Sequence, residues 1–445
     1  MWHTLIMELF KILKKDKQTK ARLGVLNTRH GKVYTPAYVF VATYGRFRHL
    51  RPADIKKTKT QLVIANTFHL WNSAPVHHSE PHKNPAGFFA LPTEIPAKAR
   101  NLLRDGLPAS GRSSDGHSPR FFKETLQGQS LLTNKLGVKI PTMTDSGGFQ
   151  VLSLAFGDKN QISRIGKFIR DDAKLSADFK RSKIRVTNKG VYFSYKDEKS
   201  FLGPELSMKI QKDIGADIVF AFDHITSPLD DYEYNKKALG LTSEWAEICL
   251  KNKAPEQKLY GIVQGGIFKD LRKLSAKQIG AMPFDGFGIG GSYTKKQISK
   301  ILKWVVPRLP DEKPRHLLGV GKVADIFEAV ENGIDTFDCV IPTREARHGR
   351  LYTRAGHMDI RKGIYAKDRK PIEKACGCPV CKRLVSRSKI RELLKSDKPD
   401  KNAAGQRHCL IHNMWFFNNL LEEIRTALSR GSYFRYKNKV LKYWV

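Results

Sequence analysis

The 445-residue chain has no apolar run near the ~18 residues that a membrane-spanning helix needs, so no membrane partner is expected. Acidic residues are scarce: Asp and Glu number 43 against 79 Lys and Arg, a formal net charge of +36. Cysteines are few, six in all, and Cys376, Cys378 and Cys381 crowd into one short stretch. That spacing points to a metal site in a reducing compartment rather than to a disulfide framework. The apolar start, Met1 to Phe10, comes before its lysines, the reverse of a secretory signal, and a cytoplasmic location is expected. Nucleotide motifs are missing too. Gly319-Val320-Gly321-Lys322 lacks the spacing and the following Ser or Thr of a phosphate-binding loop, and Gly286 to Gly291 lacks the G-x-G-x-x-G pattern.

What remains is a chain with 40% hydrophobic residues, enough for a large core, and an excess of positive charge that suits a polyanion such as a nucleic acid. From Lys139 onward a pattern repeats: an apolar run, a polar or glycine-rich tip, then a stretch with helical spacing. Runs at 140–144, 216–222, 258–263, 284–289, 315–318 and 333–337, with an earlier one ending at Asn66-Thr67, predict an α/β chain folded as a (β/α)8 TIM-type barrel over 1–360. A small helical zinc-binding subdomain is expected over 361–445. Residues 72–134 hold seven of the 21 prolines and four of the 14 histidines and read as an insertion, while 159–195 read as an antiparallel excursion.

In such barrels the site lies at the C-terminal ends of the strands. Here those ends carry Asp145, Asp223, Gln264, Gly291 and Asp338. Singly, each acid could be no more than a helix cap. Together, three carboxylates, a carboxamide and a diglycine form a candidate site. In Asp145-Ser146-Gly147-Gly148-Phe149, the acid can accept from ring N–H groups, the glycines bring the backbone close, and the aromatic can stack on a planar heterocycle. Asp223, Gln264 and the backbone at Gly291 would complete a set able to read a guanine edge. Asp338, placed near an anomeric carbon, can attack as a nucleophile; Cys339 is a rival whose side chain should face the other way, into the packing. The motif Cys376-Gly377-Cys378-Pro379-Val380-Cys381 with His412 supplies a closed tetrahedral set for one structural Zn2+, with His408 and Cys409 as competitors for the fourth place.

These residues resemble the tRNA-guanine transglycosylases (queuine tRNA-ribosyltransferases). The likeness runs from about Gly24 to the C-terminus apart from the insertion. It rests on Asn66 to Leu70, Thr144 to Leu154, Ala221 to Asp223, Gly261 to Gly266, Leu318 to Lys322, Phe337 to Arg347 and the cysteine cluster. The resemblance implies an enzyme that exchanges guanine in a tRNA anticodon stem-loop for a deazaguanine base, acting as a homodimer. Asp338 would be the nucleophile, Asp145 would bind the base and assist proton transfer, and Phe149 would stack on it. Asp223, Gln264 and Gly291 would read its edge. Gly319, Val320, Gly321, Lys322, Val323, Ala324 and Asp325, with Thr343, Arg344, Glu345, Ala346 and Arg347, would contact the RNA. The chain departs from the family pattern at His224-Ile225 and at Ser292-Tyr293-Thr294-Lys295-Lys296, where lysines stand in place of an acid; the identity of the inserted base stays open. So do a relative acting on another RNA or DNA and a non-catalytic RNA-binding subunit.

Overall fold

The computed structural model describes residues 8–72, 130–155, 184–195, 198–291 and 295–444. Most of the stretch read as an insertion, and the first part of the 159–195 excursion, lie outside these residues.

Strands β1 (Phe10–Lys15), β2 (Arg22–Thr28) and β3 (Gly31–Thr35) form an antiparallel sheet. The chain then enters a barrel with β4 (Ala37–Val41), β5 (Val63–Ala65) and β6 (Thr142–Thr144). It leaves for a second antiparallel sheet, β7 (Ile184–Thr187), β8 (Gly190–Tyr195) and β9 (Glu198–Leu202). The barrel resumes with β10 (Ile218–Phe220), β11 (Lys258–Val263), β12 (Gly286–Ile289), β13 (Arg315–Leu317) and β14 (Thr336–Cys339). A hairpin, β15 (Arg350–Thr353) and β16 (Gly356–Asp359), follows. The eight barrel strands pair in parallel and close in the order β4-β5-β6-β10-β11-β12-β13-β14. This is the expected TIM-type barrel. Its short strands are buried on both faces, which is why they read as apolar runs rather than as alternation.

Seven of the eight strands were legible in the sequence; β4 was not. It begins one residue after β3 and no acidic or glycine-rich tip follows it at once, so Ala37-Tyr38-Val39-Phe40-Val41 looks like more of the preceding antiparallel meander. Only its pairing with β14 on one side and β5 on the other shows it to be the strand that closes the ring.

Helices follow the strands as the periodicity predicted. The helix Tyr232–Lys251 is capped by the Asp231 carboxylate, which accepts from the Tyr234 N–H at 2.8 Å. The helix Pro204–Ile214 starts on proline and stops at left-handed Gly215. The longest helix among the described residues, Pro399–Ser429, serves two cores. Its Cys409, Leu410 and Ile411 pack with Leu351, Ile360, Ile372 and the cysteine cluster. Further along, Met414, Phe417, Leu421 and Ile424 join the layer between the barrel strands and their helices.

The β1–β3 sheet closes the opposite end of the barrel from the strand tips: Phe10, Leu26 and Val33 share one apolar cluster with Val39, Ile64, Met143, Phe220 and Ile262. Beside it lies a fully buried ion pair. Arg22 donates from Nε to Asp335 Oδ1 at 2.8 Å and from Nη2 to Oδ2 at 2.5 Å, and the Arg315 N–H adds a bond to Oδ2 at 2.7 Å. Arg22 also donates to Asp311 and the Lys313 carbonyl, so losing Asp335 leaves the buried guanidinium with only partial compensation, at a cost towards the lower end of the about 3–5 kcal/mol for breaking a buried pair. Asp335→Ala is expected to lose about that much in urea unfolding, and a loss near zero would show the pair to be dispensable.

Candidate functional site

The C-terminal mouth of the barrel gathers the predicted acids. Asp145 directly follows β6 and is held from several sides. Its Oδ1 accepts from the Thr67 N–H at 3.0 Å and the Gly147 N–H at 3.1 Å, and its Oδ2 from the Asn66 amide. Asn66 does two jobs, since its Oδ1 also caps the short helix Thr67–Trp71 by accepting from the His69 N–H at 2.9 Å. Burial pushes the Asp145 carboxyl up to about 7, against the pull of these donors, and the charge of Asp338 raises it further. Both aspartates stand at the C-terminal ends of barrel strands, Asp145 just after β6 and Asp338 within β14.

Asp223 is buried and accepts from Ser146 Oγ at 3.2 Å and from Gln264 Nε2 at 2.6 Å. Burial pushes it up to about 6, opposed by those two donors. Gln264 Oε1 is buried with no hydrogen-bond partner among the described residues. A buried acceptor of this kind calls for a donor from outside, such as the N–H edge of a heterocycle. Gly148 lies against Asp223, where a Cβ would meet the Asp223 carbonyl oxygen at 3.3 Å. Phe149, in contrast, is 47% exposed and presents its ring at the rim. Gly291 has φ +115° and a Cβ there would stand 2.5 Å from Arg272 Nη2, so no side chain is tolerated.

Asp338 lies within β14, its side chain 15% exposed, with Oδ1 3.1 Å from His316 Nε2 and accepting from the Gly319 N–H at 3.3 Å. Cys339 faces the other way. It is buried, a Cβ on Gly321 would press on its Cβ at 2.5 Å, and burial pushes its thiol up to about 12. A thiol held so far from ionisation is no rival nucleophile.

Of the residues expected at an RNA surface, Val320, Gly321, Val323, Thr343 and Ala346 are buried. Glu345 is half-buried and bound to the Tyr352 hydroxyl at 2.6 Å. Lys322, Ala324, Asp325, Arg344 and Arg347 reach the surface to varying degrees, and Gly319 lies at the tip that touches Asp338. The structure adds Arg48 and His49. Burial and then the nearby Arg48 lower the pKa of Arg347, and burial followed by Arg48 and Arg347 does the same to His49. Arg48, Arg344 and Arg347 thus form one basic cluster. Residues 292–294 and the side chains of Lys295 and Lys296 lie outside the description.

Several supporting residues went unseen in the sequence. Fully buried Arg272 donates to the Gly266, Val263 and Gly290 carbonyls at 2.7, 3.1 and 2.7 Å, which fastens the tips of β11 and β12. Gln211 binds Thr144 Oγ1 at 3.0 Å and both backbone groups of Phe220. His316 was read only as part of a strand. A charged or amide side chain inside an apolar run was the available signal, but its partner lies on another strand and nothing local names it.

Cys376, Cys378, Cys381 and His412 come together, all buried, with ligand atoms within 4.8 Å of one another. The three Sγ atoms stand 3.8, 3.5 and 3.6 Å from His412 Nδ1. A tetrahedral ion with Zn–S near ~2.3 Å and Zn–N near ~2.0 Å requires an S···N edge of about 3.5 Å, so the set fits such an ion. His412 Nε2 is 2.8 Å from the Tyr352 carbonyl, which accepts a hydrogen bond from its N–H and leaves Nδ1 as the ligand nitrogen. The cluster can hold one metal ion; His408 and Cys409 stay outside it.

Fold and site together define a (β/α)8-barrel enzyme with an attached Cys3His unit. The family described as queuine tRNA-ribosyltransferase matches residues 16–95 and 119–444. Queuine tRNA-ribosyltransferases of Symbiobacterium thermophilum and Desulforamulus reducens are 34% and 35% identical to the chain, covering 98% and 97% of it and 91% and 97% of their own lengths. That of Halothermothrix orenii is 32% identical over 98% of both chains. The chain belongs to the queuine tRNA-ribosyltransferase family. The family match passes over 96–118, inside the stretch read as an insertion. Among the described residues no helix is long and apolar enough to cross a membrane.

Two outcomes follow from this geometry. Unfolded, the Asp145 carboxyl titrates near 3.8; folded, at about 7. Between these values the folded chain holds a proton that the unfolded chain has released, so this contribution to stability falls as pH rises through the window. Asp145→Asn should flatten that fall in urea unfolding measured across the same pH range; an unaltered slope would contradict the assignment. Elemental analysis should find one metal ion per chain, and Cys378→Ser should lose it together with much of the thermal stability.

Proposed function

We propose that the chain replaces guanine at the wobble position of a tRNA anticodon with a 7-deazaguanine base, through a covalent ribosyl intermediate on Asp338. The observation that carries this reading is the pairing of Asp145 and Asp338 at one mouth, the first able to hold a proton near neutral pH and the second fixed by donors. An Asp338 carboxylate oxygen would form a bond to the anomeric carbon as the bond from that carbon to guanine N9 breaks. The electron pair leaves with the base, and protonated Asp145 supplies one proton to it. The incoming base returns a proton to Asp145 and attacks the same carbon, releasing the Asp338 carboxylate. Negative charge at Asp338 also favours the oxocarbenium-like transition state.

Asp223, Gln264 and the backbone at Gly291 would read the base edge, and exposed Phe149 would cover its face. RNA recognition of this kind suits an unstacked loop base. The basic cluster of Arg48, Arg344 and Arg347, within a chain of net charge +36, would hold the flanking phosphates. The Cys3His set would bind zinc; the bound ion would tie the Cys376–Cys381 segment to the long helix, whose His412 also holds the Tyr352 carbonyl of β15, and would take no part in the chemistry. We place the protein in the reducing cytoplasm, in keeping with six free cysteines, and expect a homodimer, as in the family it resembles.

The test is base exchange. An unmodified anticodon stem-loop with a wobble guanine, incubated with radiolabelled guanine, should take up label. Asp338→Asn should slow this by on the order of 10³-fold or more while RNA binding persists. Exchange that survives in Asp338→Asn would sink the proposal.

A further inference from the structure

The nucleophile assigned above has an unexplained neighbour. His316 is completely buried in β13, directly opposite Thr336 in the parallel register with β14. Thr336 and Asp338 are two residues apart on that strand and therefore share a face. The imidazole spans both: Nδ1 is 2.9 Å from Thr336 Oγ1 and Nε2 is 3.1 Å from Asp338 Oδ1. The Phe220 ring, its centroid 5.2 Å away, packs against it.

We infer that His316 is a positioning residue that, with the Gly319 N–H, holds Asp338 Oδ1 and so selects Oδ2 as the oxygen that attacks the sugar. The inference rests on the reading of Asp338 as nucleophile. A free carboxylate turns about its last torsion with little preference, and its two oxygens are equivalent. Here they are not. Oδ1 has both donors, whereas Oδ2 takes no hydrogen bond among the described residues. An ionised carboxylate can only accept, so Nε2 must carry the hydrogen in that contact. The neutral tautomer that satisfies both neighbours has its proton on Nε2 and accepts the Thr336 hydroxyl at Nδ1. Thr336 therefore sets the tautomer and His316 sets the carboxylate.

This arrangement acts in both half-reactions. During attack, Oδ2 forms the bond to the anomeric carbon while Oδ1 stays fixed, so the approach needs no search. In the covalent ester Oδ1 becomes the carbonyl oxygen, which His316 and Gly319 still meet. When the incoming base displaces the ester, the electron pair of the breaking bond returns to the carboxylate, and the same donors stabilise it. With the donors confined to Oδ1, Oδ2 stays free to face the oxocarbenium-like sugar.

The experiment compares His316→Phe, His316→Gln, Thr336→Val and Asp338→Asn in the guanine-exchange assay, with the covalent enzyme–RNA complex followed on denaturing gels. His316→Phe is expected to lower kcat by on the order of 10²-fold with KM for the stem-loop unchanged. His316→Gln, whose amide N–H can still donate, should recover much of the loss, and Thr336→Val should show a smaller fall in kcat alone. A change confined to packing would not be rescued by glutamine, nor would it spare KM. Should His316→Phe fail to fold, Thr336→Val decides: wild-type kcat there overturns the inference. If His316→Phe exchanges at the wild-type rate while Asp338→Asn is inactive, the inference fails and the nucleophile stands. If Asp338→Asn is itself active, the reading beneath it fails instead.

Discussion

The parallel pairing of β14 with β4 is the contact on which the rest of the structure depends, because it closes the barrel and brings its first strand beside its last. Thr336, Phe337, Asp338 and Cys339 register against Ala37, Tyr38, Val39 and Phe40. The pleat then sends Asp338 to the mouth and Cys339 into the packing against Gly321 and Tyr38. A slip of one residue would exchange these two side chains and put a thiol where the carboxylate is needed. The Arg22–Asp335 pair lies one residue before this register and ties the same strand to the β1–β3 sheet.

Around this frame the mouth answers the cost of burying carboxylates in three ways. Asp145 is given donors from Asn66, Thr67 and Gly147 yet stays readily protonated, because burial outweighs them. Asp223 is given Ser146 and Gln264 and titrates at about 6. Asp338, its side chain 15% exposed, is given His316 and Gly319 on one oxygen only. Three acids on one rim therefore sit in three different environments, which is what the roles proposed for them, moving a proton, receiving a base edge and attacking, would require. Differences of environment rather than of residue type separate them, as is usual where like groups perform unlike tasks.

The Cys3His unit extends the same logic to the outside of the barrel. The helix Pro399–Ser429 carries His412 near its middle, with the metal-binding cluster on one side and Phe417, Leu421 and Ile424 against the barrel's outer layer on the other. Tyr352 links the two: its carbonyl accepts a hydrogen bond from the His412 Nε2–H, its ring lies 4.7 Å from that of Phe417, and its hydroxyl binds Glu345 beside the basic cluster. A bound ion would thus stiffen a surface that reaches the barrel mouth.

By itself, the sequence determined whatever depends on short spacing. The cysteine triplet, the apolar runs of seven barrel strands, the acids at the strand tips and the glycines at Gly291 and Gly321 are all local patterns, readable because a strand or a metal knuckle is built from neighbours in the chain. The antiparallel excursion read over 159–195 meets β7 and β8 within the described residues, and β9 carries the sheet on to Leu202. Tertiary structure decided the rest. It made β4 a barrel strand and chose His412 over His408. It also supplied Arg272, Gln211 and His316 with partners on other elements. Those choices arise only when the ring closes, since hydrogen bonds between strands far apart in sequence leave no periodic trace in either one.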